Sequence, residues 1–285
     1  MTVAFDVRAG LGEGALWDWR RDRLVSVDIL VGRVLVSDPR DGSTRSIEVG
    51  QPVSAAMLRG EHELLLAVRD GFSSLDLDSD AVEPLVEIEA DNPANRMNDA
   101  ACDARGRCFA GTMAFDTSRG AGTLYRLDPD LSVHPILDGL TISNGLGWSP
   151  SGGLMYHIDS RAGGIDAYDV DERTGALSDR RRLVNTDPSW GLPDGLAVDA
   201  EGGIWVAFWG GAAVRRFGPD GKLTATIDLP AKNASRPAFG GVNLDQLYVT
   251  SAQLDPEQAA DGDLGGAIFV FEPGVHGLRA HAFAG

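Results

Sequence analysis

Three short motifs each set an oxygen donor beside glycine: "GEG" carries Glu13, "SNG" carries Asn144 and "PDG" carries Asp194. Singly, each is an ordinary turn sequence, because Asn, Asp and Gly accept tight-turn backbone. As a set they suggest chemistry. Two carboxylates and an amide brought to one place repel and lose hydration. A hard divalent cation removes that cost. The donors suit Ca2+, Zn2+, Mn2+ or Mg2+ without choosing among them. An ion held by three protein oxygens keeps positions open for water and substrate, the arrangement of metal-assisted hydrolysis. No "GxSxG" elbow offers an alternative nucleophile.

Such a set needs a fold that makes distant motifs converge, and the chain repeats in a way that does this. "MNDAACDARGRCFAGT" from Met97, "SNGLGWSPSGGLMYHIDS" from Ser143 and "PDGLAVDAEGGIWVAFWG" from Pro193 share one plan. Each has a polar residue, a small or apolar run, a turn glycine eight residues on, and a second apolar run. Weaker copies begin near Glu13, Ser54 and Gly240. The polar or anchoring positions Glu13, Ser54, Asn98, Asn144, Asp194 and Gly240 are spaced by 41, 44, 46, 50 and 46 residues. Interleaved runs such as "GRVLVSDPRDG", "GTLYRLDPD" and "GAIFVFEP" supply further strands with Gly, Asp and Pro turns. Six units at this period, four strands each, predict an all-β, six-bladed β-propeller occupying residues 1–285 as one domain. First strands of propeller blades line the central channel, so matched positions meet at one end of it. "TVAFDV" at the start and "LRAHAFAG" at the end both read as strands that could close the ring.

Composition limits the partners. The 285 residues carry 42 acidic and 25 basic side chains, a formal charge of −17. That balance argues against nucleic acid and anionic membranes. The basic run Arg180–Arg182 reads as a solvated turn. Cys102 and Cys108 lack companions at metal-ligand spacing and read as small buried residues of a hairpin. "MTVAFDVRAG" has neither a basic region nor a long apolar run, and no window is apolar enough to span a bilayer. A soluble, cytoplasmic monomer is expected.

"LGEGALWD", "NRMNDAACDARGRCFAGTM", "ISNGLGWS" and "PDGLAVDAEGGIWVA" resemble the signature segments of the gluconolactonase family, which includes regucalcin (senescence marker protein) and bacterial sugar lactonases. "GGAIFVFEPGVHG" and the terminal "FAG" extend the resemblance along the whole chain, in order. It implies a six-bladed propeller and metal-dependent hydrolysis of a sugar lactone. It also implies Glu13, Asn144 and Asp194 as ligands of one divalent metal, with Arg96, Asn98 and Asp116 on the substrate. Asp116 stands where regucalcin has a glutamate. Asp99 either borders the site or caps its own strand as a turn acid. The connection "AFDTSRGA" is shorter than in regucalcin, where it forms part of a lid. None of the five histidines matches a site position, and His157 is expected to face a strand neighbour.

The expected chemistry follows. The metal acts as Lewis acid, Asp194 as general base, and Arg96 and Asn98 orient the sugar. The competing readings are a Ca2+-binding regulatory protein without hydrolase activity, a protein-interaction propeller, and a propeller esterase or phosphotriesterase. Against the interaction scaffold, the "GH…WD" signature is missing.

Overall fold

Alternating and fully apolar runs give way along each repeat to polar ones, and the strands follow that gradient. The computed structural model describes residues 1–254 and 262–285, and there the chain is all-β apart from two 3-10 turns, Ser160–Ala162 and Pro188–Trp190. In one sheet the inner strands β2 (Gly12–Asp18) and β3 (Arg23–Asp28) are largely buried. They lead through β4 (Arg33–Ser37) to the exposed edge strand β5 (Thr44–Glu48, TRSIE). Charge on an edge strand discourages pairing with another chain.

The same order recurs in β6 (Val53–Arg59), β7 (Glu63–Val68), β8 (Gly71–Asp76) and β9 (Val82–Glu87). It recurs again in β10 (Asn95–Cys102), β11 (Cys108–Ala114), β12 (Gly122–Leu127) and β13 (Val133–Leu140). A further sheet holds β14 (Ser143–Trp148), β15 (Leu154–Asp159), β16 (Gly164–Val170) and β17 (Leu177–Asn185). The remaining strands are β18 (Leu192–Val198), β19 (Ile204–Trp209), β20 (Ala213–Phe217), β21 (Leu223–Asp228), β22 (Asn233–Gly240), β23 (Gln246–Ala252) and β24 (Ile268–Phe271). With β1 (Thr2–Phe5) they form one eight-stranded sheet. Counted by backbone pairing among the described residues there are thus five sheets, where the repeat predicts six of four strands. The difference lies in a single pair, Trp209 with Asn233, which joins β19 to β22.

The inner strands β2, β6, β10, β14, β18 and β22 touch one another in cyclic order around a central channel. Hydrophobic clusters fill the gaps between successive sets of strands. Each fully buried Leu or Val in them contributes roughly 1.5–3 kcal/mol. The ring closes where Trp17 stacks on Tyr248, centroids 5.8 Å apart, beside Phe5 and Ile268.

The competition between the chain ends is decided by register. β1 pairs antiparallel with β24 and takes the outer edge. The C-terminal segment instead crosses the far end of the channel. Gly277 N donates to Leu244 O, Trp19 Nε1 to Ala280 O, and Ala284 N to Gly106 O. Its last strand, β25 (Ala282–Phe283), lies parallel to β6.

Two smaller expectations resolve here. Cys102 and Cys108 face each other across β10 and β11, both buried and both free thiols. Arg180–Arg182 is strand rather than turn: it lies in β17, with Arg180 and Arg182 on Asp166 and Arg181 on Asp169. Its charge is absorbed locally. Among the described residues no helix is long and apolar enough to cross a membrane.

Candidate metal and active site

Every inner strand carries one extra residue near its start. Met97 pairs with Thr112 but Ala100 with Ala110. The same slip separates Ser143 from Leu146, Pro193 from Leu196, Glu13 from Leu16, Ala234 from Pro237 and Val53 from Ala55. A bulge re-aims the side chains next to it. It is the device that turns polar groups into the channel mouth.

The register corrects the matching of the motifs. Asn98, Asn144 and Asp194 each follow the last residue paired before the bulge in β10, β14 and β18 and are true equivalents. Glu13 is itself the paired residue, so Gly14 occupies their position in β2. Gly14 has φ +62°, a left-handed conformation natural to glycine, and Glu13 Oε2 accepts its N–H at 3.1 Å. In β22 the equivalent is Ser235, not Gly240, which lies at the other end of the strand against Trp17. Ser235 Oγ donates to Gly12 O at 2.6 Å and so ties the last inner strand to the first, beside Glu13.

Carboxylates anchor the approaches. Asp28 accepts from Gly10 N and Leu11 N ahead of Glu13, and Asp159 from Thr141 N and Ile142 N ahead of Asn144. Asn144 Nδ2 donates to Ser160 Oγ at 3.1 Å and to Asp194 Oδ1. Asn98 Nδ2 donates to Ser143 O at 2.9 Å, and its Oδ1 accepts from Arg96 Nη1 at 2.7 Å. Arg96 Nη1 also donates to Met97 O at 2.8 Å. The mouth is thus a run of amide bridges from strand to strand. Gly145 and Gly195 are required by the packing: a Cβ on Gly145 would come within 2.6 Å of Asp194 O, and one on Gly195 within 2.8 Å of Arg236 Cβ.

The structure brings together Glu13, Arg96, Asn98, Asp99, Asn144 and Asp194, and adds Arg236. Burial pushes the Glu13 carboxyl up to about 7, against the pull of the Gly14 N–H and the charges of Arg236 and Arg96. Asp194 is held well above the usual carboxylate range, first by burial and then by the Glu13 charge. Burial lowers the guanidiniums of Arg96 and Arg236 to about 10. Asp99 accepts its neighbour Ala100 N at 2.7 Å, and its Oδ1 carries Arg236 Nη1. Both readings of Asp99 therefore describe the same residue: it caps its own strand and borders the site.

Asp116 stands apart from this set. It is exposed, and its carboxylate accepts Ser118 N and Oγ, which keeps it ionised below the ordinary range. The residue before it, Phe115, reaches the site instead, with Arg96 Cζ 5.9 Å from its ring centroid. Arg236 and Phe115 were not legible as site residues. Arg236 had one signal: Ser235 lies 41 residues after Asp194, inside the range of the other spacings.

The donor set fits a hard divalent ion. Glu13 and Asp194 are buried acids that raise each other's cost of ionisation, and a cation reverses that. Glu13 Oε1 and Asn144 Oδ1 accept no hydrogen bond among the described residues. Those residues contain no cluster of three His, Cys, Asp or Glu able to hold a metal. Here the third donor is an amide. A 390 Å3 cavity occupies the channel behind the site, from Gly14, Ala100 and Arg236 to Leu278–His281. Neither acid of the donor set lines it.

His157 faces Ser143, Nε2 to Oγ at 2.9 Å, and is buried. Burial lowers it to about 4 from an ordinary 6.5. The unfolded chain then binds the extra proton first, so His157 costs stability as pH falls from 6.5 to 4. The expected result is that His157→Gln flattens the loss of melting temperature across that window. An unchanged acid slope would show that other groups set it.

An all-β ring thus gathers acids, amides and guanidiniums at one end of its inner strands. The chain belongs to the family described as SMP-30/Gluconolactonase/LRE-like region, which matches residues 11–253. It is 36% identical to regucalcin of Xenopus laevis over 96% of this chain and 95% of that protein. It superposes on a calcium-binding protein, regucalcin, from Agrobacterium tumefaciens with TM-score 0.94 and 28% identity, covering 99% and 96% of the two chains. A gluconolactonase from Xanthomonas campestris gives TM-score 0.77 at 25% identity, covering 95% and 88%.

Proposed function

We propose that the protein hydrolyses a neutral sugar lactone to the aldonic acid at the channel mouth. The observation that carries this is the pairing of two buried, destabilised carboxyls, Glu13 and Asp194, with the Asn144 amide. Glu13, Asn144 and Asp194 would hold one divalent ion, which when bound supplies Lewis-acid polarisation and a more acidic water. Asp194, fixed by Asn144, takes the proton of the attacking water. Water oxygen adds to the carbonyl carbon, the ring C–O bond breaks, and the proton passes to the departing ring oxygen. Arg96 keeps its Nε and Nη2 free of hydrogen-bond partners among the described residues and offers them to ring hydroxyls, which fixes the face of attack. Asn98 acts through Arg96 by holding its Nη1. Asp116, on the rim, is left to outer hydroxyls of the sugar.

The reading extends to the scaffold. Parting the eight-stranded sheet at Trp209–Asn233 leaves two sets of four strands, which supports a single six-bladed propeller over residues 1–285. The facing free thiols support a reducing, cytoplasmic setting. The closed ring supports a monomer, and the charge of −17 argues against nucleic-acid or membrane partners. A second reading, calcium binding without hydrolysis, is favoured by the calcium-binding description of the Agrobacterium structure. The test is a panel of aldonolactones and metals on chelator-stripped protein, read as acid release. Metal binding with no acid release for any lactone establishes the second reading.

The substrate's charge is open to a direct prediction. Two guanidiniums face the site, but Asp99 neutralises Arg236, leaving Arg96 against Glu13 and Asp194. With the ion offsetting Glu13 and Asp194, Arg96 is the single uncompensated cation, and a phosphate would set about two negative charges against it while drawing it away from the ring hydroxyls. The expected result is a higher kcat/KM for a neutral lactone than for its 6-phospho analogue at fixed metal and ionic strength. The reverse order would mean that Arg236 leaves Asp99 to meet the substrate.

A further inference from the structure

We infer that Phe115 is the specificity-determining wall of the mouth, and that it selects a lactone presenting a ring face of C–H bonds rather than hydroxyls. The inference rests on the lactonase reading of the site and names which face of the substrate that site accepts. Phe115 follows directly on β11, whose Met113 and Ala114 pair with Arg96 and Asn95. Its backbone is pinned, Phe115 N donating to Ala94 O at 2.9 Å. The turn that follows is preformed. Thr117 N donates to Ala114 O at 3.0 Å, and the Asp116 carboxylate folds back on Ser118. The short 115–121 connection therefore offers the mouth an aromatic ring, while its carboxylate is occupied in the turn.

That ring is 43% exposed, although most large apolar side chains of this protein are buried. One side of it lies over the Arg96 guanidinium, 5.9 Å from Cζ to the centroid. Arg96 in turn lies within electrostatic reach of Glu13 and Asp194. A ring that has a site cation over it and is otherwise partly open to solvent is placed to receive a ligand. Its negative face attracts the polarised C–H bonds of a sugar ring while Arg96 takes hydroxyls from the side. A lactone with hydroxyls on both faces loses this contact, because it must desolvate a hydroxyl against an apolar surface.

The experiment uses Phe115→Ala and Phe115→Trp in the full-length protein. For a lactone with one bare ring face, Phe115→Ala should raise KM about 2- to 10-fold, the scale of one aromatic contact, and leave kcat within about twofold. Phe115→Trp should restore KM. The indole it introduces should also shift the emission of that variant, relative to the parent, on titration with 1,5-anhydroglucitol, a stable ring that cannot be hydrolysed. Melting temperatures should match the parent, since the side chain is exposed. A fall in kcat at constant KM, or no change in either, overturns the inference while leaving the lactonase reading intact. An emission shift specific to the Phe115→Trp variant, in a protein that opens no lactone, supports the subsite and overturns the lactonase reading instead.

Discussion

Asp194→Asn is expected to lower lactone turnover by at least about a hundredfold, the usual scale for losing a general base. The substitution keeps the volume and one oxygen, so the fold should survive. Two things change at the site. The proton acceptor is lost, and the donor set falls from two carboxylates to one. The hydrogen bond to Asn144 also loses its charged acceptor. An amide oxygen at residue 194 can still receive Asn144 Nδ2, so the local geometry is preserved while the charge is not. Metal affinity should weaken together with kcat. Titrating metal to saturation separates the two losses: the affinity defect is overcome and the turnover defect remains. If saturating metal restores normal kcat, Asp194 is a ligand only and the proton goes elsewhere. If neither quantity moves, Asp194 lies outside the machinery.

The parts of the site legible in the sequence are those written in the repeat. Asn98, Asn144 and Asp194 are register equivalents on three successive inner strands, and the period alone assembled them. Glu13 was found for an incomplete reason. It precedes the equivalent position by one residue and reaches the mouth through its longer side chain and the left-handed Gly14. The bulges explain why spacing misleads here: with one extra residue inside each inner strand, near its start, a donor on either side of the bulge can reach the mouth and the match blurs by one. Gly240 shows the larger error, because a glycine at the end of β22 stood in for the anchor that Ser235 supplies near its start. Arg236 was hidden because its partner, Asp99, belongs to a strand far away in sequence. Phe115 was hidden because an aromatic residue in a short connection has no spacing to betray it. The all-β class was legible for a complementary reason. Strand number depends on turn chemistry repeated along the chain, whereas the joining of two sheets depends on one pair, Trp209 with Asn233, that no local pattern encodes.

Removing divalent metal should abolish hydrolysis and lower the melting temperature by an amount that grows with pH. In the metal-free protein the Glu13 carboxyl titrates near 7 rather than 4.5, and Asp194 is likewise raised well above its ordinary range. A carboxyl raised in the folded state binds its proton more tightly there than in the unfolded chain. Its unfavourable burial is therefore relieved at low pH, and it destabilises the fold as pH rises from 4.5 through 7. An ion needs both carboxyls deprotonated, so it binds better over the same interval and stabilises the fold by mass action. In the difference between the loaded and stripped proteins these are one effect, because the proton that holds the stripped carboxyls neutral is the competitor the ion displaces. His157 acts equally on both forms and cancels from that difference. The measurement is the melting-temperature gap between metal-saturated and chelated samples from about pH 4.5 to 8, alongside acid release from a lactone. The gap should be small at the acid end and widest above about pH 7, with activity present only in the loaded samples. A gap independent of pH would place the ion away from Glu13 and Asp194, and full activity after exhaustive chelation would remove metal from the reaction.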